Sequence, residues 1–139
     1  MTNVLRTGQI LYVRNYEACL DFYGDKLQLP VHFANEALTC YDFYGTYLMV
    51  EREDREDYLE LPADQPKTFT CLRLNVSDVK AAADELIARG VEADYQEHDW
   101  GVVAKFRDPD GNLLALKDET GFVQQMKDHL LDKGDAPLA

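Results

Sequence analysis

Few side chains in this sequence are equipped for bond-making chemistry. Cys19, Cys40 and Cys71 are odd in number and lie at no metal-like spacing. They read as reduced, half-buried small side chains. His32, His98 and His129 are widely separated and read as surface histidines. Residues 99–117, the most patterned stretch of the chain, pair no nucleophile with a base and hold no metal-ligand set. Binding is better served. Trp100 beside Gly101, together with Tyr12 and Tyr47, could stack on a planar or apolar ligand, with Met49 adapting around it. Phe33 and Tyr41 read equally well as wall or core. Arg73 needs a carboxylate, and Glu51 is a candidate partner. Either the two serve a ligand, or they neutralise each other across a sheet.

These side chains ride on elements that can be read from periodicity. Residues 9–14 alternate as a strand, with Ile10 and Tyr12 on one face and Leu11 and Val13 on the other. Asn15 is a plausible N-cap for a helix marked by Tyr16, Cys19, Leu20, Tyr23 and Leu27, which ends before Pro30. Strands follow at 31–34, 38–43 and 46–51, with Asn35 and Gly45 in the turns. Residues 53–67, charged and carrying Pro62 and Pro66, read as a linker. The pattern then repeats. Residues 68–76 form a strand that sets Leu72, Leu74 and Val76 opposite Cys71, Arg73 and Asn75. Ser77 or Asp78 caps a helix with Val79, Ala82, Ala83, Leu86 and Ile87 on its stripe, and Gly90 is its C′ residue. A strand at 92–96 precedes a hairpin whose turn is Asp108-Pro109-Asp110-Gly111. Proline presets the first corner, and Gly111 can take the positive φ that follows. Asn15 matches Asp78 and Gly45 matches Gly111 at nearly the same offset, which marks an internal duplication. A final helix, with Phe122, Val123, Met126 and Leu130 on its face and Thr120 as cap, is expected on a sheet edge or a partner subunit.

With 139 residues, 46% of them apolar, the chain is one domain with a real core. No stretch is long or apolar enough to span a bilayer, and residues 1–6 carry no signal-peptide core. The expectation is a cytoplasmic protein with no membrane partner. A net charge of −12 argues against nucleic acid and keeps a cationic ligand in play, although acidic surfaces also serve solubility alone.

The run from Val13-Arg14-Asn15-Tyr16 to Phe22-Tyr23 resembles the vicinal oxygen chelate superfamily of glyoxalases, extradiol dioxygenases and bleomycin-resistance proteins. So do Ser77-Asp78-Val79, Gly90-Val91 and Arg107-Asp108-Pro109-Asp110-Gly111-Asn112. Cys71-Leu72-Arg73-Leu74 with Trp100-Gly101 looks most like the bleomycin-resistance branch. The resemblance extends to about Asp118 and implies an α+β fold. Two βαβββ modules, at about 8–52 and 68–118, would curl a mixed sheet into a cup with helices outside, followed by a helix and tail at 119–139. Leu11, Val13, Leu72, Leu74, Leu114 and Leu116 would face the helices. Ile10, Leu113, Ala115 and Lys117 would face the cup with the ligand-binding set Tyr12, Phe33, Tyr47, Met49, Glu51, Cys71, Arg73 and Trp100.

Catalytic members bind a divalent ion at positions that fall here on Gly8, Met49, Cys71 and Ala115. None offers the oxygen or nitrogen donor that such a site uses. The resemblance therefore implies a homodimeric small-molecule binder with no metal, no cofactor and no catalytic residue, sequestering a cationic or aromatic toxin or antibiotic. The alternative is a metal-dependent lyase or dioxygenase with displaced ligands such as Gln9, Glu51 and His98. A third reading has the cup filled by its own side chains.

Overall fold

The structure, a computed structural model, describes residues 3, 5–62 and 70–133. Two four-stranded mixed sheets with helices make an α+β fold. The chain divides into two compact units, residues 1–69 with 107–112 and residues 70–106 with 113–139. The hairpin turn at 107–112 thus belongs with the first unit, not with the strands on either side of it.

In the first unit, β1 (Gly8–Val13), β2 (Val31–Ala34), β3 (Leu38–Phe43) and β4 (Thr46–Arg52) lie in the order β1-β4-β3-β2. β1 runs parallel to β4, with Gly8 opposite Tyr47, Ile10 opposite Met49 and Tyr12 opposite Glu51. β3 is antiparallel to β4 and sets Cys40 against Met49 and Asp42 against Tyr47. The alternation predicted for these strands is present. Val13, Leu48 and Val50 are buried, whereas Ile10 and Tyr12 are exposed. Tyr44 and Gly45 both take positive φ in the tight turn from β3 to β4.

The helix after β1 departs from expectation. It is α-helical only over α1 (Tyr16–Leu20) and continues as a π-helix over Asp21–Lys26. Phe22 and Tyr23 are both buried on this wider-wound stretch. Asn15 does stand at the N-cap, although its side chain makes no capping hydrogen bond. Its backbone carbonyl accepts from Cys19 N–H, and its amide donates to Pro109 O at 3.2 Å and Asp110 Oδ1 at 3.3 Å.

The residues read as a linker include a short helix, α2 (Glu56–Leu59). Arg14 Nη1 donates to Leu61 O at 2.6 Å and Pro62 O at 2.7 Å. Residues 63–67 of that stretch, and the expected strand start at residues 68 and 69, lie outside the described residues.

The second unit holds β5 (Cys71–Val76), α3 (Val79–Ala88), β6 (Asp94–His98), β7 (Gly101–Arg107), β8 (Leu113–Asp118) and α4 (Glu119–Lys133), in sheet order β5-β8-β7-β6. Its parallel pair repeats the first, with Cys71 opposite Leu113 and Arg73 opposite Ala115. Asp78 does cap α3, accepting Ala81 N–H at 3.0 Å, and Gly90 past its end has φ of 88°. β6 lies two residues later than its pattern suggested. The cap of α4 is Asp118, whose Oδ2 accepts Gly121 N–H at 2.8 Å, rather than Thr120. α4 packs against β8 with Phe122, Val123 and Met126 half-buried. The side chain of Leu130 lies outside the described residues.

Candidate ligand-binding site

The open face of the first sheet carries a concavity of about 570 Å³, within the usual range for small-molecule pockets. Phe33 from β2 and Tyr47 and Met49 from β4 supply its apolar lining. Three of the expected binding residues thus come together. Phe33 is 51% exposed, so an aromatic ring is available to a ligand. Arg6, His32 and Asp42 are the charged or titratable groups, and Cys40 and Thr46 also line it. These last five were missed. For Cys40 and Asp42 the signal lay in register, because each sits directly opposite a wall residue of β4. Burial pushes the Cys40 thiol up from its ordinary pKa.

Tyr41, which read as wall or core, is core. It is buried, its ring lies 6.4 Å from that of Tyr23, and burial pushes its hydroxyl up to about 12. Tyr12 and Glu51 are register partners on the open face but do not line the concavity. Tyr12 has a companion from its own chain. The Arg55 guanidinium lies 5.3 Å from its ring and 4.2 Å from that of Tyr58, and it is paired at 2.9 Å with the buried carboxylate of Glu53.

Cys71, Arg73 and Trp100 belong to the second unit. Cys71 and Arg73 are exposed on β5. Burial raises the Cys71 thiol pKa, against the pull of Arg73 and Lys105. Trp100, 45% exposed, stacks on His98 at 4.6 Å, and His98 Nε2 lies 2.9 Å from Gln96 Oε1. Lys117 and Ala115 depart from expectation: both are buried instead of facing an open cup. Lys117 Nζ lies 5.3 Å from the Trp100 ring centroid and donates to Asp118 Oδ1 at 2.6 Å. Gly101, at φ of 143°, makes this possible, since a Cβ there would fall on Nζ of Lys117. The Lys117 hydrogen bond, then that of Val102 N–H, holds the Asp118 carboxyl down to about 2.

A divalent ion is implied for catalytic relatives, and the first unit fits one poorly. A Cβ at Gly8 would fall on the ring of Tyr47, so Tyr47 fills the space where a ligating side chain at Gly8 would begin. Gln9 is no substitute for Gly8. It pairs with Leu48 and faces away from Met49 and Glu51. Among the described residues, no three His, Cys, Asp or Glu side chains are grouped to hold a metal.

The glyoxalase/bleomycin resistance protein/dioxygenase superfamily model matches residues 4–116, and the chain belongs to that family. It is 29% identical over 117 residues to the uncharacterized protein YraH of Bacillus subtilis (strain 168), covering 76% of this chain and 91% of YraH. The fold is similar to that of TnmS3, an antibiotic-binding protein from Streptomyces sp. CB03234, at a TM-score of 0.67 and 23% identity, over 85% of this chain and 98% of TnmS3. It is also similar to the bleomycin-binding protein of bleomycin-producing Streptomyces verticillus complexed with copper(II)-bleomycin. There the TM-score is 0.61 and the identity 20%, over 85% of this chain and 98% of the other. These likenesses show a shared fold.

Proposed function

We propose that this protein binds an aromatic small molecule on the open face of its first sheet and holds it without turnover, as a sequestering protein for a toxin or antibiotic. The observation that carries this reading is the concavity lined by Phe33, Tyr47 and Met49, with the Tyr47 ring seated over Gly8. An aromatic wall and an adaptable thioether suit a planar ligand. The space that a metal-ligating side chain would need is taken up by that wall. Tyr12 and Glu51 extend the same face. Cys71, Arg73 and Trp100 are retained as proposed ligand contacts within the second unit. A homodimer in the cytoplasm is the proposed working form.

The test is metal content after incubation with nickel, zinc or manganese and desalting, followed by thermal shift against aromatic antibiotics. The expected result is no stoichiometric ion and a ligand-dependent rise in Tm. One tightly held ion per subunit would overturn the reading and make lyase and dioxygenase assays the next step.

A further inference from the structure

The charges around the concavity are balanced differently from those of the chain. The sequence carries 26 acidic residues against 14 Lys and Arg, so carboxylates outnumber cations in the chain as a whole. Arg14, Arg52, Arg55, Lys26, Lys80 and Lys117 each have one. The concavity has a single carboxylate, that of Asp42, with one of its two oxygens partnered. Its Oδ1 accepts Gly45 N–H at 3.3 Å and lies 4.0 Å from His32 Nε2. Arg6, on the same lining, has no hydrogen bond or ion pair among the described residues.

Resting on the pocket reading above, we infer that the ligand is an aromatic acid. Its ring lies against Phe33, Tyr47 and Met49, and its carboxylate or comparable oxyanion meets the Arg6 guanidinium. Guanidinium presents a planar fork of N–H donors that matches a carboxylate in two parallel bonds. The net negative charge of the chain does not oppose this at contact distance. At physiological ionic strength the field of exposed charges is screened beyond roughly 8 Å, whereas a paired hydrogen bond acts inside that length.

The experiment is calorimetric titration of the full-length protein with 2-naphthoate, 2-naphthylmethanol and 2-naphthylmethylammonium, three arenes that differ in the charge of one substituent. The expected order places naphthoate about tenfold tighter than the ammonium compound, the ratio one charge-assisted hydrogen bond supplies. Arg6→Gln should remove that advantage, Arg6→Lys should restore part of it, and naphthylmethanol binding should stay within about twofold in both, which also shows that the variants fold. Equal or tighter binding of the ammonium compound, or an Arg6→Gln variant that still prefers naphthoate, overturns the acid assignment and leaves the pocket standing. Failure of all three arenes to move the amide resonances of Phe33, Tyr47 and Met49 overturns the pocket reading together with the acid assignment.

Discussion

Lys117 shows how completely a side chain can be covered on the face its strand position suggests. Alternation along β8 sets it with Leu113 and Ala115, and an ammonium group would ordinarily seek water. Instead Asp118 neutralises it, the indole of Trp100 lies close by, and the missing side chain at Gly101 leaves it room. Sequence periodicity gave its phase correctly, but not the cover over it. That cover comes from Trp100 and Gly101, on another strand and its turn. Asp118 carries the matching pH dependence. Its folded pKa of about 2 lies below the unfolded carboxylate value near 3.9, so its stabilising contribution is complete above about pH 4 and is lost as the pH falls toward 2. Asp108 runs in the opposite direction. Burial raises its pKa, so the cost of its charged form is relieved on acidification. Urea unfolding of wild type and Asp118→Asn between pH 5 and pH 2 should separate the two. The difference in stability between them should shrink steadily as the pH falls, and a difference independent of pH would refute the assignment.

Among the elements, the π-helical stretch is the clearest case of structure that periodicity did not reveal. Tyr16, Cys19, Leu20, Tyr23 and Leu27 fit an ordinary helical stripe, and the pattern located the helix. It gave no sign of the change to π winding, and the buried partner of Tyr23 is distant in sequence. Tyr23 Oη donates to Asp108 Oδ2 at 2.7 Å, and burial, with Asp108 next, raises the phenol pKa well above its ordinary value. Asp108 also accepts from the backbone N–H groups of Asp110 and Asn112 and from Asn112 Nδ2. The turn motif Asp-Pro-Asp-Gly was legible as a turn, whereas its role as a receptor for this helix was not. Tyr23→Phe should lower unfolding free energy by about 1–3 kcal/mol, since a buried carboxylate loses one donor. An unchanged urea midpoint would mean that the bond adds no net stability. By contrast, the strands of both units stand close to their predicted positions, because alternation over four to seven residues needs no tertiary knowledge.

At the scale of the whole molecule, composition and locality point different ways. A net charge of −12 kept a cationic ligand in view, yet the concavity on the first sheet carries one carboxylate and a guanidinium with no partner among the described residues. Global charge governs solubility and long-range encounter, while recognition follows the few groups that touch the ligand. Solubility should therefore pass through a minimum near pH 4.5, where the net charge vanishes, and light scattering across pH 3 to 7 measures it. A minimum near neutrality would show that the surface does not carry the charge that the composition implies. Duplication of the strand-helix-strand unit was legible along the chain, as was the family. The pocket was legible only in part, because Phe33, Tyr47 and Met49 carry an aromatic or thioether signal and Arg6, at the start of the chain, carries none.

Synthesis runs from N- to C-terminus, so residues 14 and 15 are made long before residue 110, yet Arg14 N–H and Asn15 N–H both find their acceptor in Asp110 Oδ1, at 2.8 and 3.0 Å. Until residue 110 has been made, those two backbone groups lack the acceptor that the finished first unit supplies. A chain cut in the middle at the apparent boundary between the repeats would be an unfinished half, not a small domain.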